Sequence, residues 1–375
     1  MPKHNLAESL RKKMQDSILR GSSIRARSLR AEASFTISMG DAYDYNILGD
    51  ELDPDDLHRE MLRYSADIAE ILQAQPPSPE VEASADNHVL EVLSRMVFGS
   101  NYIERAGAGL DITLKLCQAI FRGETIPDTI DERDPEYETL KRELVQKGMP
   151  ATTPFVLRSR REIVQHAKAA SYLMTEVNVR EKDISEEIIL ETHRILTHGI
   201  DTEQGYSWTE YSGAYRQHPV AAGLHSFPPP DQVPSAMRRL IASLQQDLED
   251  AMAAGKIDPV TLASKYCHMF VNIHPFLDGN GRTCRLILNA LLLKYGGFLV
   301  SIGQEDETRE KYLEIATSLR EGSDCDDWDP DDKHSPQHYK QLSSFTLKHA
   351  TEGLRRFFNT LRSSKGNSHK AAREE

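Results

Sequence analysis

What this sequence has little of narrows its class first. Its 375 residues hold four cysteines, Cys117, Cys267, Cys284 and Cys325, and none falls in a Cys-x-x-Cys pair. That excludes a disulfide scaffold and a structural zinc site, and it suits a reducing compartment. Long apolar runs are missing too. The richest stretch, Leu286 to Leu293, contains Asn289 and is followed by Lys294, so it is too short to span a membrane. Positive charge is in deficit: 45 Lys and Arg stand against 58 Asp and Glu, a formal net charge of −13. Such a chain has no general basic face for nucleic acid. No secretory apolar segment opens it. The expectation is a cytoplasmic protein with neither a membrane nor a nucleic-acid partner. Residues 1–30, rich in Arg, Lys and Ser with Glu8 and Asp16 as their acids, read as a disordered basic arm, with a mitochondrial leader as the alternative. The 39% hydrophobic content is enough for one large core or two smaller ones.

What is there centres on residues 267–296. Tyr266, Met269, Phe270 and Ile273 recur at helical spacing, and Pro275 marks the end of that helix. Gly279 and Gly281 let the backbone turn and point successive N–H groups at one spot. From Arg282 the sequence is apolar nearly all round, as in a buried helix, until Gly296-Gly297 stops it. A glycine nest at a helix N-terminus is an anion site. Arg282 and Arg285 share the face of its first turn. Cations there oppose the helix dipole, unless a polyphosphate neutralises them. Asp278 suits a Mg²⁺ (or Mn²⁺) bridging phosphate oxygens, and His274 is a base beside the same spot. These twelve residues, His274 to Arg285, make a phosphoryl- or nucleotidyl-transfer site. A dinucleotide loop is excluded by Cys284 at the third glycine position, and a Walker loop by the lack of Gly-Lys-Ser/Thr. Zinc is disfavoured, since His274 has no second ligand at helical spacing.

The stretch from His274 to Arg285 resembles the signature of the Fic family, His-x-Phe-x-Asp/Glu-Gly-Asn-Gly-Arg-x-x-Arg, at every fixed position. The resemblance implies an all-α fold, a Fic-type helical core with a short β-hairpin flap. It implies MgATP as co-substrate and transfer of AMP to a Ser, Thr or Tyr hydroxyl of a target protein. His274 would take the hydroxyl proton, and Asp278 would hold the metal. Gly279, Asn280 and Gly281 would cradle phosphates, while Arg282 and Arg285 grip the outer ones.

Other stretches take meaning from that resemblance. Ser100-Asn101-Tyr102-Ile103-Glu104 lies in a helical pattern from His88 to Leu116 and resembles the family's inhibitory motif, Ser/Thr-x-x-x-Glu-Gly/Asn, placed N-terminal to the core. Glu104 would pair with Arg285 and remove the guanidinium that orients the terminal phosphate. Arg105 departs from the usual Gly or Asn. Pro219 to Phe227 reads as an extended hairpin or edge and resembles the flap over the site. A protein substrate would lie along residues 219–227 by main-chain pairing, with Val220 and Gly223 bordering the nucleotide. Tyr312 resembles an adenine-pocket aromatic, with a core tyrosine as the alternative. Arg320 stands where the family often has an Asn that meets the adenine, which leaves base specificity open but not the transfer chemistry. His166 and His193 read as packed structural histidines.

The expected domains are an arm over 1–79, largely disordered with a helix at about 54–73; an inhibitory-helix segment and connection over 80–155; a catalytic core over 156–325; and a C-terminal helix with a disordered tail over 326–375. The acidic run from Asp324 to Asp332 reads as a solvated loop. Two further functions stay open: removal of AMP by the same site, and a non-catalytic Fic-fold binding module. The apolar helices serve either a homodimer or only the core.

Overall fold

The computed structural model describes residues 5–19, 23–25, 32–35, 42–49, 52–73, 79–222, 225–318 and 339–374. Helices α1 (Leu6–Leu19), α2 (Pro54–Leu72) and α3 (Pro79–Ile103) come first, then α4 (Leu110–Phe121), α5 (Pro135–Gln146) and α6 (Thr153–Met174). Next are α7 (Glu186–Thr197), the one-turn α8 (Trp208–Tyr211) and α9 (Val233–Ala254). The pair α10 (Pro259–Ile273) and α11 (Asn280–Gly296) follows, and α12 (Asp306–Ser318) and α13 (Tyr339–Glu374) are last. Strands β1 (Ser23–Arg25), β2 (Glu32–Phe35), β3 (Ala221–Ala222), β4 (His225–Ser226) and β5 (Lys256–Ile257) are short. β3 and β4 form an antiparallel hairpin with Ala221 opposite Ser226, so the fold is all-α with a small hairpin, as expected. β2 pairs antiparallel with β1 and parallel with β5 in a second small sheet.

The centre is α11, whose side chains from Arg282 to Tyr295 are all buried. Its sequence has no polar face to offer solvent, so other helices must cover it on every side. α10 packs along it, and α3, α6 and α7 also touch it. The start of α10 is fixed by Asp258, whose carboxylate accepts from Val260 and Thr261 N–H and from the Tyr43 hydroxyl. That last bond ties residues 42–49 to the helix that leads into the site.

Four expectations change. Within the segment expected as an arm, α1 is a core helix, with Leu6, Leu10, Met14 and Ile18 in one buried stripe. Buried Arg11 donates from Nε to Asp86 at 2.6 Å, so a charge that looked like a basic tail is a paired core residue. The helix expected from His88 to Leu116 is two, α3 and α4, broken where Arg105 and Gly107 take left-handed φ of 54° and 70°. The connection over 121–155 contains α5, capped by the Asp134 side chain. α13 runs on to Glu374 rather than giving way to a tail near Ser363, since no proline interrupts it. The linker centred on Pro76, the acidic run and Arg320 lie outside the described residues.

Candidate active site

The junction of α10 and α11 gathers the signature residues. His274 is the C-cap of α10, in a left-handed backbone conformation with φ 49° and ψ 59°. Its Nδ1 lies 3.2 Å from the Val271 carbonyl, which makes Nδ1 the protonated nitrogen and Nε2 the basic one. The ring stacks on Phe227, 4.0 Å between centroids. The loop that follows is clamped by Asn280, whose amide accepts from Phe276 N–H at 2.9 Å and donates to Phe276 C=O at 2.8 Å. The Asn280 side chain therefore shapes the loop, and its role in an anion cradle is left to the main chain. Gly279 supplies the left-handed N-cap, φ 79°, that lets the chain enter α11.

His193 of α7 supports this loop. It donates from Nε2 to the Asp278 carbonyl at 2.9 Å, accepts at Nδ1 from Gly213 N–H at 3.0 Å, and stacks on Phe276 at 3.6 Å. Burial pushes its pKa down to about 4, against the opposing pull of Asp278, so at neutral pH it is the uncharged ring that one donor and one acceptor require.

Charge in the site is arranged around two arginines. Burial would raise the Asp278 pKa, but the Arg282 guanidinium and the Gly279 N–H at 2.6 Å outweigh it and hold the carboxyl below its ordinary value. Asp278 is half-exposed and ionised: one hard oxygen donor group, which fits Mg²⁺ if phosphate oxygens and water complete the shell. Among the described residues no cluster of three metal-ligating side chains exists, so a metal here needs a ligand it shares. Arg282 is 5% exposed and reaches Asp278 only at 3.4 Å, while its Nε and Nη1 are buried with no partner. Unpaired buried guanidinium N–H groups beside the N-terminus of α11 fit an oxyanion.

Arg285 is the opposite case, fully engaged. It donates from Nε to Ser100 Oγ at 2.8 Å, and from Nη2 to the Ser100 carbonyl at 3.0 Å and to Glu104 Oε1 at 2.7 Å. Burial would lower its pKa, but Glu104 and the other groups around it raise it instead. A Cβ on Gly281 would collide with Glu104 Oε1, so the carboxylate lies directly over the glycine nest. Arg105 is exposed and its left-handed φ is what a Gly or Asn would adopt more readily there. Tyr312 is buried with its hydroxyl 3.5 Å from Arg285 Nη1, behind the guanidinium.

The flap lies on the His274 side. Val220 is half-buried at the entry to β3, and Phe227 after β4 carries the contact to the imidazole. Gly223 lies outside the described residues. His274, Asp278, Gly279, Asn280, Gly281, Arg282, Arg285, Ser100, Glu104 and Tyr312 therefore share one region. Sequence reasoning placed Phe227 in the flap without its contact to His274, and gave Arg216 and His193 no part in the site. A buried arginine is not distinguishable from a surface one by spacing, whereas Phe227 before three prolines was an available clue to a packed flap end.

Residues 183–292 match the family model described as Fic/DOC family. Two curated proteins named Protein adenylyltransferase Fic are similar over 144 residues: that of Drosophila melanogaster is 33% identical and that of Drosophila willistoni 32%. Each match covers 38% of this chain and 26% of the relative, so the likeness spans about a quarter of those proteins' length. Among solved structures, a Fic domain containing signaling protein from Bacteroides thetaiotaomicron covers 83% of this chain and 98% of its own, with TM-score 0.57 and 19% identity. Fic-1 from C. elegans, residues 134–508, covers 83% of this chain and 74% of its own, with TM-score 0.54 and 18% identity. These two share the fold, and the likeness extends well outside residues 183–292.

Proposed function

The chain carries a Fic/DOC-family domain over residues 183–292, and on that premise we propose that it is a protein adenylyltransferase, moving AMP from MgATP to a Ser, Thr or Tyr hydroxyl of a protein target. The observation that carries the reading is the convergence, at one loop, of an imidazole with Nε2 as its base, a buried Arg282 guanidinium whose Nε and Nη1 have no partner, and a helix N-terminus. The target oxygen attacks the α-phosphorus, its proton passes to His274 Nε2, and the bond to the β-phosphate oxygen breaks to release pyrophosphate. Arg282 and the first N–H groups of α11 take the charge of the phosphates. Asp278 is the residue that would hold Mg²⁺, which when bound neutralises phosphate charge. The hairpin β3–β4 offers an edge on which the target segment would lie extended.

Glu104 opposes this reaction in the resting state. Its carboxylate pairs with Arg285 and covers Gly281, so an incoming terminal phosphate meets a like charge and a guanidinium already in use. Labelling with α-phosphate-radiolabelled MgATP tests both parts. Glu104→Gly should label itself more strongly than the natural chain, and Glu104→Gly with His274→Ala should not label at all. If neither protein labels and Glu104→Gly fails to bind MgATP by calorimetry, the reading is wrong. Release of AMP from pre-modified protein, lost in Glu104→Gly, would instead assign the removal reaction to the same site.

A further inference from the structure

Arg216 is a buried guanidinium, 3% exposed, whose partners among the described residues are main-chain carbonyls and not carboxylates. Its Nε donates to His274 C=O at 2.7 Å and its Nη2 to Ile273 C=O at 3.4 Å. The same Nη2 reaches Pro228 C=O at 2.5 Å, and Nη1 reaches His218 C=O at 3.3 Å. Its own N–H donates to Pro275 C=O at 2.9 Å. One side chain thus joins three places: the last carbonyls of α10, the segment entering the flap and the segment leaving it.

Physical chemistry gives each bond a reason. The final carbonyls of a helix have no intrahelical donor and carry the negative end of the dipole, so a cation satisfies them and is itself stabilised without a carboxylate. Burial disfavours the charged form of Arg216 and lowers its pKa, which is the cost that these carbonyl dipoles offset. His274 sits at φ 49°, a conformation that a residue with a Cβ holds only where its surroundings over-determine it. The bond from Arg216 to the His274 carbonyl fixes the plane of that peptide, and with it the direction in which the imidazole leaves the backbone.

We propose that Arg216 is the positioning residue that registers the base to the flap: through the His274 peptide it aims the imidazole, and through His218 and Pro228 it sets the hairpin at a fixed distance from that imidazole. Phe227, next to Pro228 and stacked on the His274 ring, completes the coupling. The inference goes beyond the transferase reading in assigning this residue, and rests on that reading only for its kinetic consequence.

The test uses the full chain carrying Glu104→Gly, with Arg216→Lys and Arg216→Ala added separately. Lysine keeps the charge but has one terminal nitrogen, which cannot span carbonyls on three segments. Hydrogen exchange should rise together in residues 218–228 and 273–276, by about tenfold or more, while Leu286–Leu293 in α11 stays as protected as before. The affinity for MgATP, measured by calorimetry, should change less than about twofold, whereas the single-turnover transfer rate should fall about tenfold to a hundredfold. Faster exchange in the flap alone, with residues 273–276 and the rate unchanged, would overturn the proposal. So would loss of protection in α11 to the same extent, which marks an arginine that merely holds the fold. If Glu104→Gly itself binds MgATP but transfers nothing, the transferase reading fails, and the exchange experiment still decides the role of Arg216.

Discussion

Glu104 neutralises a guanidinium, that of Arg285, which could not stand buried and unpaired at low cost. Arg285 is 4% exposed at its side chain and Glu104 38%, so the arginine carries most of the desolvation. Replacing Glu104 by Gln keeps the shape and removes the charge. The ligand-free protein should then lose about 1–2 kcal/mol, a figure between those for a surface and a fully buried pair. MgATP should restore more than it adds to the natural chain, because binding now supplies the missing anion. Thermal unfolding with and without MgATP measures this, and equal shifts in both proteins would mean that Glu104 does not compete with nucleotide. Arg105 is a separate matter of backbone. Its side chain is exposed, and what its position requires is φ 54°. Arg105→Gly should stabilise the chain by about 1 kcal/mol in urea unfolding by relieving that strain; a loss of stability would show that the arginine itself makes a needed contact. The departure from Gly or Asn was legible in the sequence, but its meaning as a left-handed turn was not, because nothing local marked where α3 ends.

Among elements, those that read clearly are the ones whose own sequence dictates their surroundings. α10 announces itself through Asp258-Pro259 at its start and α11 through its lack of any polar face, and the loop between them is spelled by its glycines. α1 was hidden by contrast. Its buried face is narrow, Leu6, Ala7, Leu10, Met14 and Ile18, set among Arg, Lys and Glu, and one of those charges, Arg11, is buried against α3. Composition over thirty residues outvoted a narrow periodicity. If α1 belongs to the core, Leu10→Ala should cost about 3 kcal/mol, as for other fully buried leucines, with Leu10 at 0% exposure. A change below about 0.5 kcal/mol in denaturant unfolding would return residues 6–19 to the status of a loosely attached arm. α5 was missed for a related reason: its prolines and charges look like a linker, yet Asp134-Pro135 is a helix start, with the Asp134 side chain accepting from Glu136 N–H at 2.8 Å.

For the molecule as a whole, packing so many helices together buries titratable groups that no sequence pattern marks. His88, His193 and His349 are each pushed down to about 4, and His166 well below its ordinary value, with burial the largest cause in every case. The two arginines of the site, Arg282 and Arg285, press His166 further in the same direction. These rings are neutral in the folded chain and ordinary in the unfolded one, where each titrates near 6.5. Between about pH 6.5 and 4 the unfolded state therefore binds more protons, and stability falls as pH falls through that window. Above pH 6.5 the contribution is fully present. On the order of 1 kcal/mol per histidine per pH unit is expected in the steep part of the window. Urea midpoints at pH 7, 6 and 5 read this directly, and His349→Gln, which is not among the residues gathered at the α10–α11 junction, should flatten the profile by about one proton. A midpoint that stays level from pH 7 to 5 would mean that these rings gain protons without unfolding, and that the interior around them admits water where the packing says it is dry.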